Sequence, residues 1–103
     1  MNEKVKLGAF YETRCGLIAE VRAIDHETSR IANQPVIVTV LHPAGSEDPD
    51  PLDGQKYEFD GKENFPVTIT GEDNPGGKES PYDLMREVDK PAGWDNIPNP
   101  DFT

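Results

Sequence analysis

The chain has 103 residues, of which 34% are hydrophobic, and it carries ten Pro, nine Gly and a formal net charge of −10. That length holds one modest core, and the Pro and Gly content disfavours long helices. No apolar run is long enough to span a membrane, and a single Cys excludes an internal disulfide.

Val5, Leu7 and Ala9 alternate with Lys4, Lys6 and Gly8, which predicts a first strand over residues 4–13. The Arg14-Cys15-Gly16 corner that follows reads as a hairpin turn, with Gly16 free to take the positive φ such a corner needs. Leu17, Ala19, Val21 and Ala23 then alternate with Ile18, Glu20 and Arg22, predicting a half-buried strand over 17–25. Asp25 to Asn33 is polar and aperiodic, and reads as a loop. Residues 34–42 are the most hydrophobic run, rich in β-branched residues, and predict a strand buried on both faces in the interior of the sheet. His42 to Gly54 holds three Pro, two Gly and four acids, and should be an exposed loop.

Tyr57 and Phe59 share one face of a short strand expected over 55–60, and Asp60-Gly61 is a hairpin turn signal. Phe65, Val67 and Ile69 alternate on the returning strand, 64–70, and Pro66 places that strand at an edge. After a polar loop from Gly71 to Ser80, a last short element is expected near 82–88, as a strand or as a helical turn started by Ser80-Pro81. The segment Asp89 to Thr103 has three Pro and, among large apolar groups, Trp94, Ile97 and Phe102. It has no core of its own and either lies across the barrel or is disordered.

These elements predict an all-β, mainly antiparallel fold: a small, strongly bent sheet of five or six strands, or an SH3-like barrel, with long polar loops. The barrel should occupy residues 1–88, and 89–103 is the Pro-rich C-terminal tail. Val5, Leu7, Leu17, Ala19, Val21, Val36, Val38, Val40, Tyr57, Phe59, Phe65, Val67 and Leu84 form the expected core.

Charge is the strongest functional signal. Residues 1–42 hold five acids and five bases, whereas residues 43–103 hold fifteen acids and five bases and so carry the whole −10. Such a half repels nucleic acid and anionic membranes and attracts basic partners. Candidates for partner contact are Glu47, Asp48, Asp50, Asp53, Asp60, Glu72 and Asp73 in the acidic loops, with Trp94 and Phe102 in the tail.

Catalytic and metal signals are thin. Cys15 sits beside Arg14, but a cysteine nucleophile needs a general base, and no feature couples it to His26 or His42. Asp48, Asp50 and Asp53 approximate a calcium loop with the third acid one step late, and Phe59 stands where the twelfth-position Glu belongs. One Cys and two separated His give no zinc cluster, and no phosphate-cradling Gly-rich loop is present. No catalytic residue, metal ligand or cofactor is assigned, and the chain reads as a non-enzyme.

The segments Tyr11–Gly16 (Y-E-T-R-C-G), Ala19–Asp25 (A-E-V-R-A-I-D), Gln34-Pro35-Val36, Tyr57–Lys62 (Y-E-F-D-G-K) and Ser80–Leu84 (S-P-Y-D-L), in this order, resemble a small uncharacterised β domain of tailed phages. Its marks are a Y-x-T-R-x-G hairpin, a D-G-[RK] hairpin and a C-terminal D-L. Here Cys15 stands where Asp is usual and Lys62 where Arg is usual. The resemblance implies a phage or prophage origin and a small β-barrel, and carries no activity. With the charge, it leads to an expected non-enzymatic accessory protein, in the cytoplasm of the host cell. It would bind and inhibit a host protein with a basic surface, as an anti-restriction or anti-CRISPR inhibitor mimicking nucleic acid. Two other readings are a virion component docking through its tail and a small nucleotide- or metal-binding protein. Direct nucleic-acid binding and membrane association are not expected.

Overall fold

The Arg14-Cys15-Gly16 corner closes as its sequence predicts. In a computed structural model that describes residues 4–24, 34–47, 56–74, 76 and 78–100, Gly16 takes φ +88° and donates its N–H to Thr13 O at 2.9 Å. The Thr13 hydroxyl braces the corner by accepting from Leu17 N at 3.0 Å. On either side run β1 (Phe10–Thr13) and β2 (Ile18–Ile24). β3 (Val36–His42), β4 (Gly61–Val67) and β5 (Leu84–Val88) complete one antiparallel sheet in the order β4-β3-β2-β1-β5. A short 3-10 helix, η1 (Trp94–Asn96), follows.

The first four strands form a meander, and β5 returns beside β1, which fits the expected small, SH3-like all-β domain. Register shifts at Glu12/Thr13 and Val21/Ala23 bend the sheet. Beyond β4, Ile69 O accepts from Val5 N at 2.9 Å and Gly71 O accepts from Leu84 N at 2.8 Å, tying that end of the sheet to the opposite edge. The enclosed face carries Val5, Tyr11, Ala19, Val21, Val36, Val38, Val40, Val67 and Leu84, all buried, with Leu17 and Phe65 packed against them. β3 is an interior strand, and Pro66 lies in edge strand β4, as predicted.

Three expectations need correction. Leu7 is 66% exposed, because a turn at residues 6–9 interrupts the alternation: Ala9 N donates to Lys6 O at 3.1 Å, and Gly8 has φ +81°. Phe59 is 79% exposed, because no strand forms over 56–60 beyond a single bridge between Lys56 and Glu47. Asp60-Gly61 is not the hairpin turn: Gly61 opens β4, paired with His42. The Asp60 carboxylate accepts from Ala44 N at 2.7 Å and holds the chain in a bend just before it. At the far end, Ser80-Pro81 begins a turn rather than a helix, closed by Asp83 N donating to Ser80 O at 3.1 Å.

Candidate functional site

The connection from β3 to β4 folds back on itself. Tyr57 N donates to Ser46 O at 2.9 Å, Gly45 N donates to Tyr57 O at 2.7 Å, and Glu47 bridges Lys56. These bonds lay residues 44–47 beside 56–60, which brings Glu47 and Asp60 together on one double-stranded projection with Glu58, all three exposed. Phe59 stands between two of these acids with most of its ring in solvent. Among the described residues Phe59 is the most exposed large hydrophobic, ahead of Leu7 and Met85, and aromatic side chains are enriched in the cores of protein interfaces. The sequence signal for this stretch was present in E-F-D, directly before β4, but its alternation with Tyr57 reads as a strand. Asp48, Asp50 and Asp53, in the same connection, lie outside the described residues, as does Phe102 in the tail.

The base of the projection is rigid. His42 ends β3 on the core side with its side chain fully buried, because β-alternation from Val36, Val38 and Val40 points it inward. Tyr57 stacks on its imidazole with centroids 4.2 Å apart and planes within 3° of parallel. Nε2 lies 3.0 Å from Glu63 Oε2, which also accepts from the Tyr57 hydroxyl at 3.3 Å. Tyr82 meets the imidazole edge-on at 6.1 Å. Through these contacts the imidazole packs the projection's root against the barrel, while its Nδ1 is buried without a hydrogen-bond partner among the described residues.

Glu72 and Asp73 lie at a corner between β4 and β5. Glu72 accepts from the Thr70 hydroxyl at 3.0 Å, and its own N–H donates to Thr68 Oγ1 at 3.0 Å. Asp73 accepts from the Ser80 hydroxyl at 2.6 Å, and Asp73 N donates to Asp83 Oδ1 at 2.9 Å. Asp83, buried, also accepts from Ser80 N at 3.0 Å and from Arg14 at 3.3 Å. These carboxylates accept from backbone and side-chain donors at one corner, where Glu72 and Asp73 are half-buried and Asp83 is buried. The T-R-x-G and D-L motifs meet here, and they are scaffold.

Trp94 is likewise not displayed; it is 1% exposed. The segment after β5 crosses the outer face of the sheet and presses the indole edge-on to Phe10, centroids 5.2 Å apart. The indole N–H donates to Glu20 Oε1 at 3.2 Å. Lys62 Nζ sits 4.2 Å above the indole ring and donates to Trp94 O at 2.7 Å and Asn99 Oδ1 at 2.8 Å. Of the two courses open to the tail, it takes the one across the sheet.

Cys15 is exposed at its turn, 3.2 Å from Thr13 Oγ1. Its candidate base His42 is occupied by Glu63, and His26 lies outside the described residues. Among the described residues no group of three or more His, Cys, Asp or Glu is arranged to hold a metal ion, and no helix is long and apolar enough to cross a membrane. Comparison with protein-family models, curated proteins and solved structures finds no match to this chain.

Proposed function

We propose that this chain is a non-enzymatic binding protein that inhibits a host protein by covering a basic, nucleic-acid-binding surface with its acidic β3–β4 projection. The observation that carries this reading is Phe59, 79% exposed between Glu58 and Asp60, in the half of the chain that holds all of the net −10. Negative charge steers encounter with a basic face, and a desolvated aromatic then slows dissociation. The resemblance to a phage domain makes a host nuclease or defence complex the natural target class, an anti-restriction or anti-CRISPR role.

The test starts from the tagged protein and host lysate. A captured protein should be a nucleic-acid-binding one, released by added DNA or by raised salt. Phe59→Ala should speed dissociation, and Glu47→Lys with Glu58→Lys should slow association. Capture that ignores all three substitutions refutes the reading.

A further inference from the structure

We infer that the groove holding Trp94 on the outer face of the sheet accepts the same segment from a second copy of this chain, so that two molecules can exchange their C-terminal straps.

Four kinds of contact define the groove, and each runs from the sheet to residues 94–100. Phe10 takes the indole edge, Glu20 takes its N–H, Lys62 covers its face and binds two oxygens, and Asn64 Nδ2 donates to Pro100 O at 3.3 Å. Together they recognise an aromatic with a ring N–H, followed by a chain with open carbonyls. Residues 94–100 supply both.

The linker is built differently. Among the described residues, the hydrogen bonds of 89–93 stay within the strap: Pro91 O accepts from Trp94 N at 3.3 Å, Gly93 O accepts from Asn96 N at 3.1 Å, and Lys90 pairs with Asp95. Gly93 has φ +79°, a conformation that glycine holds and leaves without steric penalty. Five residues, extended, reach about 17 Å, enough to redirect the strap to an adjacent molecule.

The uncovered face is also tolerable to water. Under and beside the strap, Glu20, Arg22, Thr39, Lys62 and Asn64 line the sheet, with Arg22 Nη1 donating to Thr39 Oγ1 at 3.3 Å. Lifting the strap exposes the Phe10 and Trp94 rings, both buried in the closed form. Exchange in trans restores every lost contact, which is the general condition for swapping an element between protomers.

The test exploits the fact that Trp94 is the sole tryptophan and Cys15 the sole cysteine. A peptide of residues 89–100 is titrated into full-length Trp94→Ala protein, whose own strap is weakened by the empty indole slot and which has no indole of its own. Saturable binding with a blue-shifted indole emission is expected, weakened tenfold or more by adding Lys62→Ala. No binding to folded Trp94→Ala protein, or binding indifferent to Lys62→Ala, overturns the inference. Should circular dichroism show that Trp94→Ala protein does not fold, wild-type pools labelled at Cys15 with donor or acceptor decide. Energy transfer that rises with concentration and is competed away by the peptide supports exchange; its absence, or transfer that the peptide leaves unchanged, overturns it. Neither arm involves the β3–β4 projection, so the outcome is independent of the inhibitor reading.

Discussion

The Arg14 guanidinium lies 3.3 Å from Asp83 Oδ2, and this pair joins the β1–β2 turn to the approach of β5. Arg14 N also donates to Asp83 O at 2.9 Å, and Cys15 N donates to Pro81 O at 3.1 Å, so the two turns are stitched through backbone as well. The two partners differ in burial: Arg14 is 38% exposed at its side chain and Asp83 only 10%.

Asp83→Ala should therefore cost far more than Arg14→Ala. Losing the carboxylate strands the buried donors at Ser80 N and Asp73 N, a penalty of about 2–4 kcal/mol. Losing the half-exposed guanidinium removes a screened pair, under about 1 kcal/mol. Urea midpoints of the two variants give the comparison, and equal losses would contradict it.

Gly71 and Gly16 share a left-handed backbone, at φ +83° and +88°, but differ in surroundings. A Cβ at Gly16 meets nothing within 4 Å, whereas one at Gly71 falls 2.9 Å from Leu84 Cβ in the core. Gly16→Ala should cost about 1 kcal/mol from backbone strain alone. Gly71→Ala adds a clash with a buried side chain and should cost about 2–4 kcal/mol. Thermal melts of both variants check the order.

Trp94→Ala should cost about 3 kcal/mol, at the lower end for a buried aromatic, because the face beneath is polar. Denaturant titration measures the loss, and an unchanged midpoint would mean that the strap contributes nothing to stability.

Burial under the strap lowers the Lys62 pKa from the usual 10.5, against the opposing pull of Glu20 and Asp95. The sign follows from linkage: just below pH 10.5 the unfolded chain holds this proton more fully than the folded one, so the group's contribution makes folding more favourable as pH rises through that window. A 13Cε titration should place the Lys62 midpoint below those of exposed lysines. A midpoint at or above 10.5 would contradict the buried arrangement.

Much of the sheet was legible because β2 and β3 obey strict rules. Val36, Val38 and Val40 alternate onto one face, Pro66 forces an edge, and Gly16 marks a corner. The projection was less legible for a physical reason: Tyr57 and Phe59 have the spacing of a strand, but Asp60 caps Ala44 N and bends the chain away from pairing. Tertiary packing also decided Trp94, since nothing in a Pro-rich segment tells whether its one indole will find a slot beside Phe10 and Lys62. Of the acids proposed for contact, Glu47 and Asp60 lie on the projection, while Glu72 and Asp73 are engaged in local turns. Composition counts such carboxylates alike; their exposure separates them, since Asp60 too accepts a local bond, from Ala44 N.

The most direct test of the proposed acidic interface is the salt dependence of association between this protein and any protein that the lysate experiment captures. Exposed charges interact over a screening length of about 10 Å at 0.1 M salt, falling to about 3 Å at 1 M. The account predicts an association rate that drops steeply as salt rises, and a Glu47→Lys/Glu58→Lys variant that is slow at low salt and loses most of that dependence. An association rate indifferent to salt, and equal in wild type and variant, would contradict it.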